Sequence, residues 1–168
     1  MRPNRLIIEA FGPYAERAEV DFDALADTRL FVVSGPTGAG KTSIFDAMCW
    51  ALYGDLPGNR FREGKVRSDA AAPDRLTSVE FTFTVNDTTY RVKRRPEQER
   101  PKVRGAGTTT EKQQVALHRR EGGAWEPVSR RWSQTNQVCA DLLGLSTAQF
   151  QQVVLLPQGR FQEVLHAG

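Results

Sequence analysis

Residues 35–42 read Gly35-Pro36-Thr37-Gly38-Ala39-Gly40-Lys41-Thr42, which satisfies the pattern G-x-x-x-x-G-K-[ST] of a phosphate-binding P-loop. No other stretch constrains the fold as tightly, because such a loop works only between a strand and a helix. Upstream, Leu30-Phe31-Val32-Val33 is a short apolar, β-branched run that predicts a buried strand; downstream, residues 43–53 predict a helix with Gly54 as its stop. Glycines let the backbone wrap closely round phosphate oxygens, and N–H groups at the helix N-terminus point at the anion. Lys41 neutralises charge and the Thr42 hydroxyl can ligate Mg²⁺. At ordinary glycine usage a chance match in a chain this long is about a one per cent event, before the flanking strand and helix are counted. The sequence therefore implies a nucleoside-triphosphate site formed by Gly35, Pro36, Thr37, Gly38, Ala39, Gly40, Lys41, Thr42 and Ser43.

With 168 residues, 39% of them hydrophobic, the chain can bury one sizeable core, and its length favours a single domain. No segment reaches the apolar length of a membrane span, and Met1-Arg2-Pro3 does not open a signal peptide. Cys49 and Cys139 fall on separate predicted helices and read as buried reduced thiols rather than a metal or disulfide site, so a cytoplasmic location is expected. The net charge of +3 is unevenly spread. Residues 91–131 hold 12 Lys+Arg against 5 Asp+Glu, or +7, and the remainder holds 11 against 15, or −4. That asymmetry suggests a localised anionic partner.

Along the chain, residues 5–10 predict a first strand, 11–14 a turn, and 19–23 a half-exposed strand. The helix after the P-loop is apolar on nearly every face and is expected to be buried. Residues 55–73 read as a long surface loop. Alternation in residues 79–85 and 89–93 about Asn86-Asp87 predicts a hairpin, with Val79, Phe81, Phe83, Tyr90 and Val92 on its apolar face. Residues 96–107, broken by Pro and Gly, are expected to be mobile. Residues 114–120 predict another strand ended by Gly122-Gly123. A helix bearing Trp132, Val138, Cys139, Leu142 and Leu143 then stops at Gly144, and Ser146-Thr147-Ala148-Gln149 forms a capping box for the next. Antiparallel strands beside a P-loop favour the layout of ATP-binding-cassette (ABC) proteins over a doubly wound nucleotide kinase.

Residues 149–161, Gln149-Phe150-Gln151-Gln152-Val153-Val154-Leu155-Leu156-Pro157-Gln158-Gly159-Arg160-Phe161, resemble the Q-loop region of the SbcC family. Its members are the ATPases of bacterial SbcC–SbcD DNA-repair nucleases, related to the SMC-type ABC ATPases. The resemblance extends over essentially the whole chain. It takes in residues 5–14, the P-loop with Asp46-Ala47, Leu52-Tyr53-Gly54, Val66-Arg67-Ser68-Asp69, Tyr90-Arg91-Val92 and Gly144-Leu145-Ser146. It implies an α/β fold: residues 1–168 as the N-terminal lobe of an ABC-type ATPase head, with an antiparallel β-subdomain. Within the lobe would lie a hairpin region at 77–120, helices and the Q-loop at 131–160, and the root of a coiled coil at 161–168. By the same resemblance Lys41 and the backbone of residues 38–42 hold ATP, Thr42 and Gln158 serve Mg²⁺, and Gln158 also places the attacking water. Residues 11–14, Tyr14 among them, lie where the family cradles base and ribose. The implied partners are the C-terminal lobe of the same ATPase, a second head in an ATP-dependent dimer, an SbcD-type nuclease and DNA. The implied location is the cytoplasm, at the nucleoid. Read without the family, Gln158 is equally an ordinary turn glutamine after a proline.

The chain shows no Walker B carboxylate pair, no Ser-Gly-Gly signature and no Cys-x-x-Cys hook. In the family these lie further along the chain, so 168 residues alone are expected to bind ATP and scarcely hydrolyse it. Arg91, Lys93 and Arg95 share one strand face, with Arg94 opposite, and Arg100, Lys102 and Arg104 follow. Strand-borne cations so spaced, Arg94 included, suit phosphates of duplex DNA, which the family's heads bind without sequence preference. The alternative is a solvated charged hairpin. Trp125 and Trp132 read as core or interface residues and are not spaced as a stacking platform for single strands. Two further readings stay open: a stand-alone, non-catalytic nucleotide- and DNA-binding module, and a small-molecule kinase, for which no lid or second substrate motif is visible.

Overall fold

Period-two alternation gives each strand one apolar and one polar side, and a computed structural model shows how the sides are used over residues 1–25, 32–56, 66–102 and 104–154. The elements are β1 (Arg2–Glu9), β2 (Ala18–Asp21), α1 (Lys41–Tyr53), β3 (Ser78–Val85), β4 (Thr88–Arg95), β5 (Gln98–Pro101), β6 (Thr108–Glu111), β7 (Gln114–Glu121), β8 (Ala124–Ser129), α2 (Trp132–Leu143) and α3 (Thr147–Val154). Six strands form one antiparallel sheet in the order β2-β1-β3-β4-β7-β8, and β5 pairs with β6 as a separate ribbon.

Leu6, Ile8, Val79, Phe81, Phe83, Val92, Val115 and Leu117 are buried, and so are Ala47, Met48, Trp50, Ala51 and Leu52 of α1 in the same apolar cluster. Phe81 and Phe83 stack at 5.3 Å between centroids, and Tyr90 continues the stack 5.7 Å from Phe83. Cys139 of α2 and Phe150 of α3 complete the cluster from the helical side. The hairpin turn matches its sequence: Asn86 and Asp87 have φ of 46° and 64°, the left-handed pair that a two-residue loop requires. At the irregularity between Pro3 and Arg5, the buried Asn4 side chain donates to Asp23 Oδ1 at 2.8 Å and accepts from Thr84 Oγ1 at 2.8 Å. It thereby ties the sheet to the short helical turn after β2. The capping box also forms, with Ser146 N–H donating to Gln149 Oε1 at 2.9 Å and Gln149 N–H to Ser146 Oγ at 3.3 Å.

Three expectations are revised. Val32 and Val33 lie in no strand and are exposed, Val32 by 83%; Leu30 and Phe31 fall outside the described residues. A buried strand needs neighbours on its edges and cover on its faces, and Val32 and Val33 have neither among the described residues. Residues 96–107 are not simply a mobile stretch, since part of them forms β5 of the ribbon. The buried Gln98 side chain anchors it, accepting from Thr77 N–H at 2.7 Å and donating to Thr77 O at 3.1 Å, while Arg100 pairs with Glu111 at 2.9 Å. β8, which the alternation does not suggest, extends the sheet beyond β7. The Q-loop with Gln158, and the coiled-coil root at 161–168, lie outside the described residues.

Arg94 is the fourth revision. Sequence spacing groups it with the DNA-contacting cations, yet it has no exposed surface and cannot meet a phosphate there. It shares the inner side of β4 with Val92, where Nε donates to Ala51 O at 2.6 Å and Nη2 to Leu52 O at 3.0 Å and Asn136 Oδ1 at 2.7 Å. The guanidinium also lies 4.4 Å over the Trp132 ring. The carbonyls belong to the last turn of α1, which an α-helix leaves without internal partners. At the same end Gly54 takes φ 69° and its N–H donates to Trp50 O at 2.8 Å. A Cβ on Gly54 would stand 2.6 Å from the Trp132 indole nitrogen, so only glycine lets that ring close over the helix end.

Arg94→Ala should strand two carbonyls in the interior, deprive the half-buried Asn136 of its partner and leave a cavity, at a cost of about 3 kcal/mol or more. Arg120→Ala, on the exposed part of β7, should stay within about 0.5 kcal/mol of wild type. Urea denaturation of the two variants checks the contrast; equal stabilities would contradict the role given to Arg94.

Candidate phosphate-binding site

The P-loop glycines set the geometry of the N-terminus of α1. Gly40 is the N-cap residue, at φ 85°, and among the described residues no side chain caps the helix. The first-turn N–H groups, which have no acceptors within a helix, thus face outward with the positive end of the helix dipole behind them. Lys41, the first helical residue, folds back over the loop, its Nζ donating to Gly35 O at 2.8 Å and Pro36 O at 2.7 Å. Thr42 is exposed beside it, and Ser43 and Gly40 are half-buried.

A second segment closes on this loop from below. After β1 the chain turns at Phe11–Tyr14, whose two ends exchange backbone bonds of 2.9 Å in each direction. The turn is backed by residues 66–68: Gly12 N–H donates to Val66 O at 2.9 Å and Ser68 N–H to Ala10 O at 2.9 Å. The Tyr14 hydroxyl donates to Gly40 O at 3.0 Å, and burial raises its pKa above the ordinary phenol value. The structure thus brings residues 35–43 and Tyr14 together, while Gln158 lies outside the described residues.

These groups fit a polyphosphate. A bare first turn, a glycine backbone open to close approach and one ammonium group suit an anion. For a divalent metal the described residues offer the Thr42 hydroxyl, and among them there is no cluster of three His, Cys, Asp or Glu side chains able to hold an ion. Mg²⁺ would therefore arrive on the nucleotide with most of its ligands from phosphate and water, as that ion commonly does.

The other cations lie elsewhere. Arg91, Lys93 and Arg95 alternate with the buried Val92 and Arg94 and occupy the outer side of the sheet, away from α1. Arg91 stacks 4.3 Å over Trp125, and Lys93 pairs with Glu80 at 3.3 Å. A pocket of about 490 Å³ is lined in part by Lys93, Arg95, Gln114 and Arg130. His118, opposite Arg91 on β7, has its pKa lowered first by burial and then by the Arg91 and Arg130 charges, against an opposing pull from Glu80. Lys102 and Arg104 are exposed beyond the β5–β6 ribbon strands. Sequence reasoning does not place Arg120, Arg130 and Trp125 on this face. Recognising β8 would have set Trp125 directly opposite Arg120, but Pro127 within that run argues against a strand.

Residues 5–166 match the model of the AAA domain family. The chain is 43% identical over 167 residues to the SbcC component of the SbcCD nuclease of Vibrio cholerae serotype O1, covering 99% of this chain and 16% of that protein. It is 38% identical to the protein of the same name from Lactococcus lactis (98% and 16% covered) and 34% identical to that of Staphylococcus epidermidis (99% and 16% covered). The chain thus spans about a sixth of the length of the curated relatives it matches.

A methyl group on Gly40 would come within 3.0 Å of both Pro13 Cγ and the Tyr14 hydroxyl, whereas one on Gly38, at a similar φ of 84°, meets nothing within 4 Å. Both alanine variants carry the backbone strain of a left-handed residue, about 1–2 kcal/mol. Gly40→Ala should therefore be the more destabilised of the two in thermal or urea unfolding; equal losses would mean that the Phe11–Tyr14 turn does not press on the loop.

Proposed function

Because the chain belongs to the AAA domain family, we propose that it is the N-terminal lobe of an SbcC-like, ABC-type ATPase head that binds Mg-ATP at the start of α1. The observation that carries the reading is the uncapped first turn of α1 with Lys41 folded over the loop before it. The N–H groups of residues 38–42 cradle the phosphates, Lys41 neutralises their charge, and Thr42 supplies one ligand to the metal. Mg²⁺, with the Thr42 hydroxyl as one ligand from this chain, would offset charge that develops in phosphoryl transfer. Gln158 reaches the metal and places the attacking water. Hydrolysis needs in addition a carboxylate pair and a signature motif, supplied by a C-terminal lobe and by a second head across an ATP-dependent dimer. The chain alone therefore binds ATP and barely turns it over.

In the complete protein, residues 161–168 open a coiled coil, the two heads sandwich two nucleotides, and turnover gates an SbcD-type nuclease in the processing of DNA breaks or hairpins. Duplex DNA lies against the outer side of the sheet, on Arg91, Lys93 and Arg95, with Lys102 and Arg104 reaching from the ribbon. Support comes from the grouping of Arg91, Lys93 and Arg95 on one side of β4, with Arg130 beside Lys93 and Arg95, and from relatives named as parts of a nuclease. No helix among the described residues is long and apolar enough to cross a membrane, and the proposed location is the cytoplasm, at the nucleoid.

Lys41→Ala should weaken ATP binding by about thirtyfold or more, the size of a lost charge-assisted contact of about 2–5 kcal/mol. Thr42→Ala should weaken Mg-ATP far more than metal-free ATP, because only the former uses its hydroxyl. Calorimetric titrations read both, and unchanged affinity in Lys41→Ala would remove the phosphate site from α1.

Replacing Arg91, Lys93 and Arg95 together with Ala should weaken duplex binding alike for all sequences. The slope of log K against log salt should fall by ~0.9 per contact, about 2.7 in all. A slope equal to wild type would return these side chains to a solvated face.

A further inference from the structure

Tyr14 stands in the turn that the family resemblance assigns to base and ribose, but its hydroxyl is committed elsewhere. It donates to the carbonyl of Gly40 at 3.0 Å, the same oxygen that accepts the first helical bond of α1, from Ile44 N–H at 3.3 Å. A trans peptide unit is planar, with its C=O and N–H pointing in opposite directions. Holding the Gly40 carbonyl inward therefore aims the Lys41 N–H outward, along the axis on which a phosphate approaches the helix end.

The brace is itself held firmly. Ala10, immediately before the turn, takes φ 46°, a left-handed conformation that costs a non-glycine residue about 1–3 kcal/mol and persists only where its surroundings impose it. Its carbonyl accepts from both Ser68 N–H and Thr77 Oγ1, each at 2.9 Å. Gly40 packs so closely on the Tyr14 ring that a Cβ would sit 3.0 Å from the hydroxyl oxygen and 3.1 Å from Cζ. A strained, doubly bonded hinge thus delivers a half-buried phenol to the one loop residue whose orientation sets the first N–H of the helix.

We propose that Tyr14 is a positioning residue for the phosphate loop, acting through the Gly40 carbonyl on the N–H groups that meet the anion, and that it does not read the base. The proposal rests on the nucleotide reading given above. Its consequence is that Tyr14 matters equally for every ligand carrying a polyphosphate, with or without a nucleoside.

The test is calorimetric titration of wild type and Tyr14→Phe with Mg-ATP and, separately, with inorganic tripolyphosphate and Mg²⁺. Loss of the hydroxyl should raise Kd for both ligands by the same factor, about three- to tenfold. A rise for ATP alone, or wild-type binding of ATP without tripolyphosphate, would make Tyr14 a base or ribose contact and overturn the proposal. Unchanged Kd values with a lower melting temperature or stoichiometry would make the bond merely structural and overturn it as well. Calorimetry keeps these outcomes apart even for a partly folded variant, because stoichiometry reports the folded fraction and Kd the site. If wild type binds neither ligand, the nucleotide reading itself falls and the proposal with it; if wild type binds both and Tyr14→Phe is unaltered, only the proposal falls.

Discussion

A guanidinium with no exposed surface is held at the heart of this fold, and its partners among the described residues are neutral: two carbonyls from the end of α1 and the side-chain oxygen of Asn136 on α2. Burial lowers the pKa of Arg94 to about 10, the sign that keeping the charge there costs free energy. Charge-assisted bonds to carbonyls, the negative end of the helix dipole and the Trp132 ring offset that cost. Losing the side chain would leave all of those groups unmet at once. Arg94 therefore fastens together the sheet, α1 and α2.

The consequence for function follows from the rigidity of a helix. α1 has 13 residues and spans about 20 Å, so fixing its C-terminus on β4 and α2 fixes where its N-terminus points. The two ends are treated oppositely. Arg94 and Gly54 satisfy the carbonyl end, while at the N–H end Gly40 offers no side-chain cap. The Phe11–Tyr14 turn steadies that open end from the other side of the sheet order, through β1. The site is thus a gap between two braced segments, which suits anion binding because the donors need not be gathered when the ligand arrives.

The parts of this arrangement that depend on local sequence were legible. The loop at 35–42, the hairpin about Asn86-Asp87, the stop at Gly144 and the box from Ser146 to Gln149 each rest on residues near one another in the chain, with strong conformational preferences. The parts that depend on distant partners were not. Arg94 reads as one more cation in a basic run. Only the alternation with Val92, taken with the bare carbonyls at Ala51 and Leu52, explains an inward charge, and those carbonyls are more than forty residues away. Gln98 anchors the ribbon through a backbone group 21 residues distant, so Pro96 and Pro101 suggest a broken stretch where paired strands occur. The approach of Tyr14 to the loop was not legible, because nothing local shows that its hydroxyl meets Gly40.

One end of α1 is anchored, and the other is proposed to receive phosphate. Amide and Arg94 Nε–H resonances, followed by NMR as Mg-ATP is added, test this most directly. The largest shifts are expected at residues 38–43, with Gly54 and the Arg94 Nε–H unmoved because the anchored end is already in place. Shifts centred on Gly54 and Arg94, or none in the loop at saturating nucleotide, would contradict the account.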